Sequence, residues 1–465
     1  MIKVNGIVLF YFILNLVYCL NNVFRKNAYI LYSPKLIKSS KPASRRWSTS
    51  QNNDNIVNLS KGENSIEEAY NNNIASKYNI KNFAKDINDN IYIETNRRGR
   101  RIKKNKHLIS LYNNTNIKTS NFIYPLFIHE ESSNTETYLN VQTVSQGNEK
   151  NETKLEGIHT YNYEGVVKEI EECLKLNIHH FMLFPVVNDQ KKSIYCEECY
   201  NENSYFCQTL KKLKDKFAHD VVIYADVALD PYNVYGHDGI YDEKKREIIN
   251  DISVHTLVKQ SLCLAKCGVD VVCPSDSMDN RIEQIRKNLD FYGFRNILIL
   301  SYTCKYASCM YAPFRSILSS NISHNFVKNK QSYQHDSNNY IDLNNVEKHI
   351  KEGCDIVMVK PSIFYLDIIS KIRSKLDAGT NVPIAVYNVS GEYVMIKNYV
   401  KSLKKDLKYE NEILTELFKS YLRAGANIII TYFAKQYGLY MLDLYEKRIK
   451  VDDNSSSNFN IELTL

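Results

Sequence analysis

The sequence predicts an α/β chain folded as a (β/α)8 barrel, and three observations carry that prediction. Short apolar runs recur along the chain, stretches with helical spacing separate them, and polar and ionisable residues gather where the runs end. The strand-like runs are 178–186, 221–227, 269–273, 297–303, 355–359, 383–389 and 427–432, with a weaker first one near Gly157–Tyr161. Apolar spacing of three and four marks helices at 163–176, 205–218, 252–266, 276–290, 344–352, 365–376, 391–402 and 411–424. Near-continuous apolar strands alternating with helices imply a parallel sheet covered on both faces. Eight such units in roughly 300 residues is the size of a closed barrel. An open doubly wound sheet would be marked by a G-x-G-x-x-G turn after its first strand, and none occurs.

The chain divides into five segments. Residues 1–20 contain a 14-residue apolar run, 7–20, with Lys3 before it. That run is short for a membrane span and right for the core of a signal peptide. Residues 21–96 read as a disordered, transit-like leader: a basic, Ser-rich stretch around Trp47, then 13 Asn within 51–96. Together they resemble a two-part address to a plastid reached through the secretory route. Residues 97–150 form an N-terminal arm and the approach to the barrel, 151–447 the barrel itself, and 448–465 a C-terminal extension. The tail NFNIELTL alternates like an edge strand and is expected to add to a neighbouring subunit.

Charge follows the same division. The net charge is +8, yet residues 1–96 hold +5 of it and RRGRRIKKNK (97–106) adds seven positives, leaving the body at −4. A nucleic-acid-binding reading therefore rests on one short arm without the interleaved aromatics of a binding platform, and no nucleic-acid partner is expected. No stable membrane association of the mature chain is expected either. Eleven cysteines without a regular framework point to a reducing compartment. The densest group, Cys196, Cys199 and Cys207, is weak zinc evidence.

The strand ends are chemically loaded. The run at 221 ends in Asp226, followed by Asp230 and Asp238; the run at 269 leads to Ser275 and Asp276. Lys305 and Lys360 follow two separate apolar strands, and Tyr387, Ser390 and Tyr432 close the last two. Catalytic groups of such barrels sit at the C-terminal strand ends. Two ammonium groups in one half-desolvated mouth depress each other's pKa, and a neutral lysine amine attacks a carbonyl to form a Schiff base. Two such lysines point to two carbonyl substrates.

The segments DVALDPYNVYGHDGI (226–240), PSDSMDNRIEQIRKNLD (274–290), SYTCKYASCMYAPFR (301–315), EGCDIVMVKPSIFYLDI (352–368), AVYNVSGEY (385–393) and RAGANIIITYFA (423–434) resemble the porphobilinogen synthase (5-aminolevulinate dehydratase) family, in its aspartate-rich, plastid-like branch. The likeness runs in order over residues 97–440. It implies a barrel with an N-terminal arm, assembled as a homo-octamer, that joins two 5-aminolevulinate molecules into porphobilinogen with loss of two waters. It also implies roles. Lys360 and Lys305 match the Schiff-base lysines, Arg315 and Lys330 the cations for one substrate carboxylate, and Ser390 and Tyr432 the hydroxyl donors to the other. Asp226, Ser275 and Tyr387 match pocket residues.

The metal expectation turns on residues 226–238. Zinc-using members carry three cysteines where this chain has Ala228, Asp230 and Asp238, so zinc is disfavoured and oxygen ligands favour magnesium. The alternative is no active-site metal, with Asp230 and Asp238 as an acidic rim partnering the lysines. No organic cofactor is implied. The glutamate that binds a second, stimulatory magnesium in many relatives is Asn345 here, which weakens the expectation of that outer site. The competing chemistry is a class I aldolase, which needs only one such lysine.

Overall fold

A computed structural model describes residues 83–85, 91–93, 99–130, 139–144, 150–155, 157–318, 330–338, 343–376 and 381–454. The signal-like run, the stretch around Trp47 and the tail 458–465 lie outside the described residues. Two compact units are present, Met1–Arg98 and Gly99–Leu465. In the first, Phe83–Lys85 and Ile91–Ile93 pair as an antiparallel ribbon.

The second unit is a closed barrel of eight parallel strands. These are β1 (Phe122–Ile128), β2 (His180–Pro185), β3 (Val222–Val227), β4 (Val271–Pro274), β5 (Leu298–Lys305), β6 (Ile356–Lys360), β7 (Ile384–Asn388) and β8 (Ile428–Thr431). Each pairs with the next, and β8 closes on β1 through Ile429–Phe122 and Ile430–Ile123. Seven of the eight fall within the apolar runs or extend them by one or two residues.

The first strand is the exception. The weak run near Gly157–Tyr161 supplies only a two-residue strand, Thr160–Tyr161, laid beside the end of β1. The barrel begins instead at 122, upstream of the expected boundary at 151. Pro125 disguises β1, because a proline within a run argues against a central strand. Pairing of β1 with β8 is confined to Phe122 and Ile123, before that proline. All seven residues of β1 are buried.

A short helix, Lys106–Leu111, precedes the barrel, and the helices after β1 are α1 (Tyr163–Leu174), α2 (Tyr205–Phe217), α3 (Asn250–Lys266), α4 (Arg281–Phe291), α5 (Ala312–Ile317), α6 (Leu343–Lys351), α7 (Leu366–Leu376), α8 (Ser390–Ser402), α9 (Leu407–Ala424) and α10 (Ala434–Asn454). Their inward faces show the expected spacing, as in Val166, Ile170 and Cys173 of α1 or Phe206, Leu210, Leu213 and Phe217 of α2. Side-chain caps start three of them: Asn162 accepts from Gly165 N at 2.8 Å, Ser204 from Cys207 N at 3.2 Å, and Asp406 from Tyr409 N at 3.0 Å. Gly425, at φ 114°, ends α9 in the left-handed conformation that favours glycine. Among the described residues no helix is long and apolar enough to cross a membrane.

Candidate active site

One cavity at the C-terminal end of the barrel gathers eight of the eleven residues singled out from the sequence: Asp226, Asp230, Asp238, Ser275, Lys305, Arg315, Lys330 and Lys360. Phe184, Tyr311, Phe314 and Gln334 complete its lining. The other three, Tyr387, Ser390 and Tyr432, are buried without lining it.

The two lysines meet because of one extra residue. Between β5 and β6 the register runs Leu300–Ile356 and Ser301–Val357, then resumes at Cys304–Val359 and Lys305–Lys360. Three steps on β5 match two on β6, which is a bulge. Without it Cys304 would lie beside Lys360, and the side chain of Lys305 would alternate to the other face. With it, the lysines are lateral neighbours on one level.

Their surroundings differ. The Lys360 ammonium lies over four rings: Tyr387 at 4.4 Å from the centroid, Phe314 at 5.0 Å, Tyr302 at 5.1 Å and Tyr311 at 5.2 Å. Such rings attract a cation, but burial costs the charged form more. Burial first, and then the charge of Lys305, pull the Lys360 amine down from 10.5 to about 7. Asp226, at the end of β3, moves the opposite way: burial and then Asp230 push its carboxyl up to about 7. Its Oδ1 is buried with no hydrogen-bond partner.

Lys305 instead donates to the backbone oxygen of Ser275 and stands 3.6 Å from Asp238. Lys330 lies 3.2 Å from Asp238 and 3.4 Å from Asp230. Burial of Asp238 favours its neutral form, yet Lys305 and Lys330 outweigh that and hold its carboxyl well below the usual range. Gln334 Nε2 donates to the same carboxylate at 3.3 Å. The chain turns directly after β3, with Tyr232 N donating to Leu229 O at 2.9 Å, and this turn brings Asp230 back into the cavity that Asp226 lines.

Behind Lys360, the hydroxyls of Tyr387 and Tyr432 are 3.4 Å apart, and burial raises both phenols. Ser390 does not cap α8. Its Oγ accepts from Phe314 N at 3.0 Å, tying α5 and its ring to the start of α8. Gly391 permits that approach, since a Cβ there would meet the backbone of Met310 at 2.5 Å. Glu392 takes the capping role, accepting from Val389 N at 2.9 Å. It also accepts from Ser362 N at 3.0 Å and Ile363 N at 2.7 Å, holding the chain that follows Lys360. Sequence reasoning named Tyr387 but missed Glu392 and the rings of Tyr311 and Phe314. A lone glutamate and scattered rings carry no spacing signal, although AVYNVSGEY contains the one and YAPF the other.

A profile of the delta-aminolevulinic acid dehydratase family matches residues 96–439. The soybean (Glycine max) chloroplastic delta-aminolevulinic acid dehydratase is 41% identical over 342 residues, 73% of this chain and 76% of that protein. The first chloroplastic enzyme of that name from Arabidopsis thaliana is 39% identical over 348 residues, 74% of each. The crystal structure of the Toxoplasma gondii ME49 enzyme, also named porphobilinogen synthase and bound to its reaction product porphobilinogen, superposes with a TM-score of 0.71. It is 36% identical and covers 82% of this chain and 99% of that one. The chain belongs to the delta-aminolevulinic acid dehydratase family. With the family come the barrel and the lyase class.

Metal use is general in the family. The cavity of this member contains no thiol to favour zinc. Its three carboxylates do not converge as ligands on one point; Asp230 and Asp238 instead share the ammonium of Lys330. Three lysines and Arg315 already face three aspartates. As arranged, these residues do not fit an active-site divalent ion.

Proposed function

We propose that this chain condenses two 5-aminolevulinate molecules into porphobilinogen, with Lys360 and Lys305 each forming a Schiff base to one of them. The single observation that carries the reading is the lateral pairing of two buried lysines in one cavity, one of them with its amine brought to about 7. A neutral amine at Lys360 attacks the ketone carbon, and loss of one water leaves the imine. Lys305 repeats that step on the second molecule. Both lysines are released when the substrates' own new C–C and C–N bonds replace the links to the enzyme, so the net loss is two waters.

The unpartnered Oδ1 of Asp226 is placed to take and return protons near the reacting amines. Arg315 and Lys330 supply cations for one substrate carboxylate, and Ser390 and Tyr432 the hydroxyls toward the other. Ser275 and Tyr387 orient Lys305 and Lys360. No step here passes through a metal ion.

The finer assignments belong to the same proposal. Residues 1–96 direct the chain to a plastid, as the chloroplastic relatives support, and the body assembles as a homo-octamer to which the C-terminal extension adds. Borohydride trapping with 5-aminolevulinate tests the core. Wild-type chain is expected to give a stable adduct at Lys360, and Lys360→Ala neither adduct at that position nor porphobilinogen. Porphobilinogen formed by Lys360→Ala at the wild-type rate would overturn the assignment.

A further inference from the structure

The fold turns Cys196 and Cys207 toward different neighbours. Cys196 Sγ faces the turn after β3, 3.8 Å from Leu229 O and 3.5 Å from Asn233 Nδ2. Cys207, at the start of α2, points away from it toward α3. There Cys263 and Cys267 stand four residues apart, a spacing that sets both thiols on one helical face. The three sulfurs lie within 4.8 Å of one another, with Cys207 Sγ 3.6 Å from Cys263 Sγ. All three side chains are buried. None lines the catalytic cavity, and the Schiff-base chemistry uses none of them.

The size of the triangle is what matters. A zinc–sulfur bond is about 2.3 Å, so three thiolates sharing one such ion at the centre of their plane lie about 4 Å apart. The observed separations, from 3.6 Å to a limit of 4.8 Å, bracket that value. The donors are all sulfur, and soft donors select d10 ions over magnesium or calcium. Three thiolates and a divalent ion leave one negative charge, and Lys211 of α2 acts on Cys207 and Cys267 as a nearby positive charge.

We propose that Cys207, Cys263 and Cys267 form a trithiolate site for one divalent thiophilic d10 ion, of the zinc and cadmium class, which staples α2 to α3 behind β3. The role is structural, since the three sulfurs are buried and lie outside the catalytic cavity. Occupancy stabilises the folded chain by mass action and steadies the strand that carries Asp226.

Cadmium is the probe, because its thiolate bonds absorb in the ultraviolet. The full chain is expressed in medium containing cadmium, so that the ion meets the sulfurs during folding, then purified under reducing conditions. One cadmium per chain by native mass spectrometry, with the sulfur-to-cadmium absorption and a higher Tm than metal-free chain, is the expected result. The Cys263→Ala/Cys267→Ala variant loses the ion, the absorption and the Tm increment, while Cys196→Ala/Cys199→Ala keeps all three. Cys267→Ser alone, checked for wild-type circular dichroism and porphobilinogen formation, still loses the ion if the double variant fails to fold. Cadmium retained equally by wild type and Cys267→Ser would overturn the site. So would wild-type chain carrying no cadmium, or one in which two of these sulfurs are joined as a disulfide.

Discussion

The two halves of the catalytic mouth treat the same side chain differently. Around Lys360 the walls are rings, no carboxylate pairs directly with the ammonium, and burial favours the neutral amine. Around Lys305 the walls are polar, with a backbone oxygen and Asp238 within reach of the ammonium. Two neighbours on one level of adjacent strands thus sit in an apolar and an ionic environment. An amine in the apolar half is ready to attack near neutral pH. Under the proposed chemistry this makes Lys360 the first of the two Schiff bases and Lys305 the second.

Removing the ionic half's lysine breaks this comparison most completely. Lys305→Ala should lose porphobilinogen formation by on the order of 10⁴-fold or more, as nucleophile deletions do. It should still give a borohydride-stable adduct at Lys360. Loss of both adducts together would show that the lysines do not act in sequence. Asp238→Asn is the next largest, because it strips the carboxylate that pairs Lys305 and Lys330 while leaving the shape. A fall of roughly 10²- to 10³-fold in kcat is expected from losing one oriented ionic group. The single-adduct reaction at Lys360 should change far less.

Much of this comparison was legible in the sequence, and the reasons for the gaps are local. Apolar runs marked seven barrel strands because a buried parallel strand has no polar face to interrupt it. Strand β1 was hidden by Pro125, whose missing N–H looks like a break. Both lysines were readable as strand-end residues, but their pairing was not, since it depends on one bulged residue between Ser301 and Cys304. The acidic loop was readable by composition. Its partner was not, because Lys330 lies a hundred positions from Asp230 and only the folded chain puts their charges 3.4 Å apart. The contact of Ser390 with Phe314 N was not readable either, because the two residues lie 76 positions apart.

The pH profile sharpens the apolar half. The folded Lys360 amine titrates at about 7 instead of 10.5. Below that pH the ammonium dominates, and the initial rate of adduct formation should fall about tenfold per unit. Above it the rate should flatten. Asp226 is one of the charges that raise the Lys360 value against burial, so Asp226→Asn should move the acid limb to lower pH while lowering the plateau. A limb that stays in place would mean that the charge of Asp226 is not felt at the amine. The measurement is the rate of borohydride-trapped adduct against pH in both chains.

Ser390→Ala gives the smallest effect and tests how far the aromatic wall depends on its anchor. The substitution leaves the half-buried Phe314 N–H without its acceptor at 3.0 Å. An unsatisfied buried donor costs about 1–3 kcal/mol, which should appear as a Tm lower by a few degrees. The Phe314 ring would lose its fixed place over Lys360, so the acid limb should move, while Asp238, Lys305 and Lys330 keep their contacts. If Ser390 also donates to a substrate carboxylate, KM rises beyond what the stability loss explains. Ser390→Thr keeps the hydroxyl and should restore part of both. A variant with a lowered Tm and an unmoved acid limb would separate the anchor from the environment of Lys360, and would leave Tyr302, Tyr311 and Tyr387 as the rings that set it.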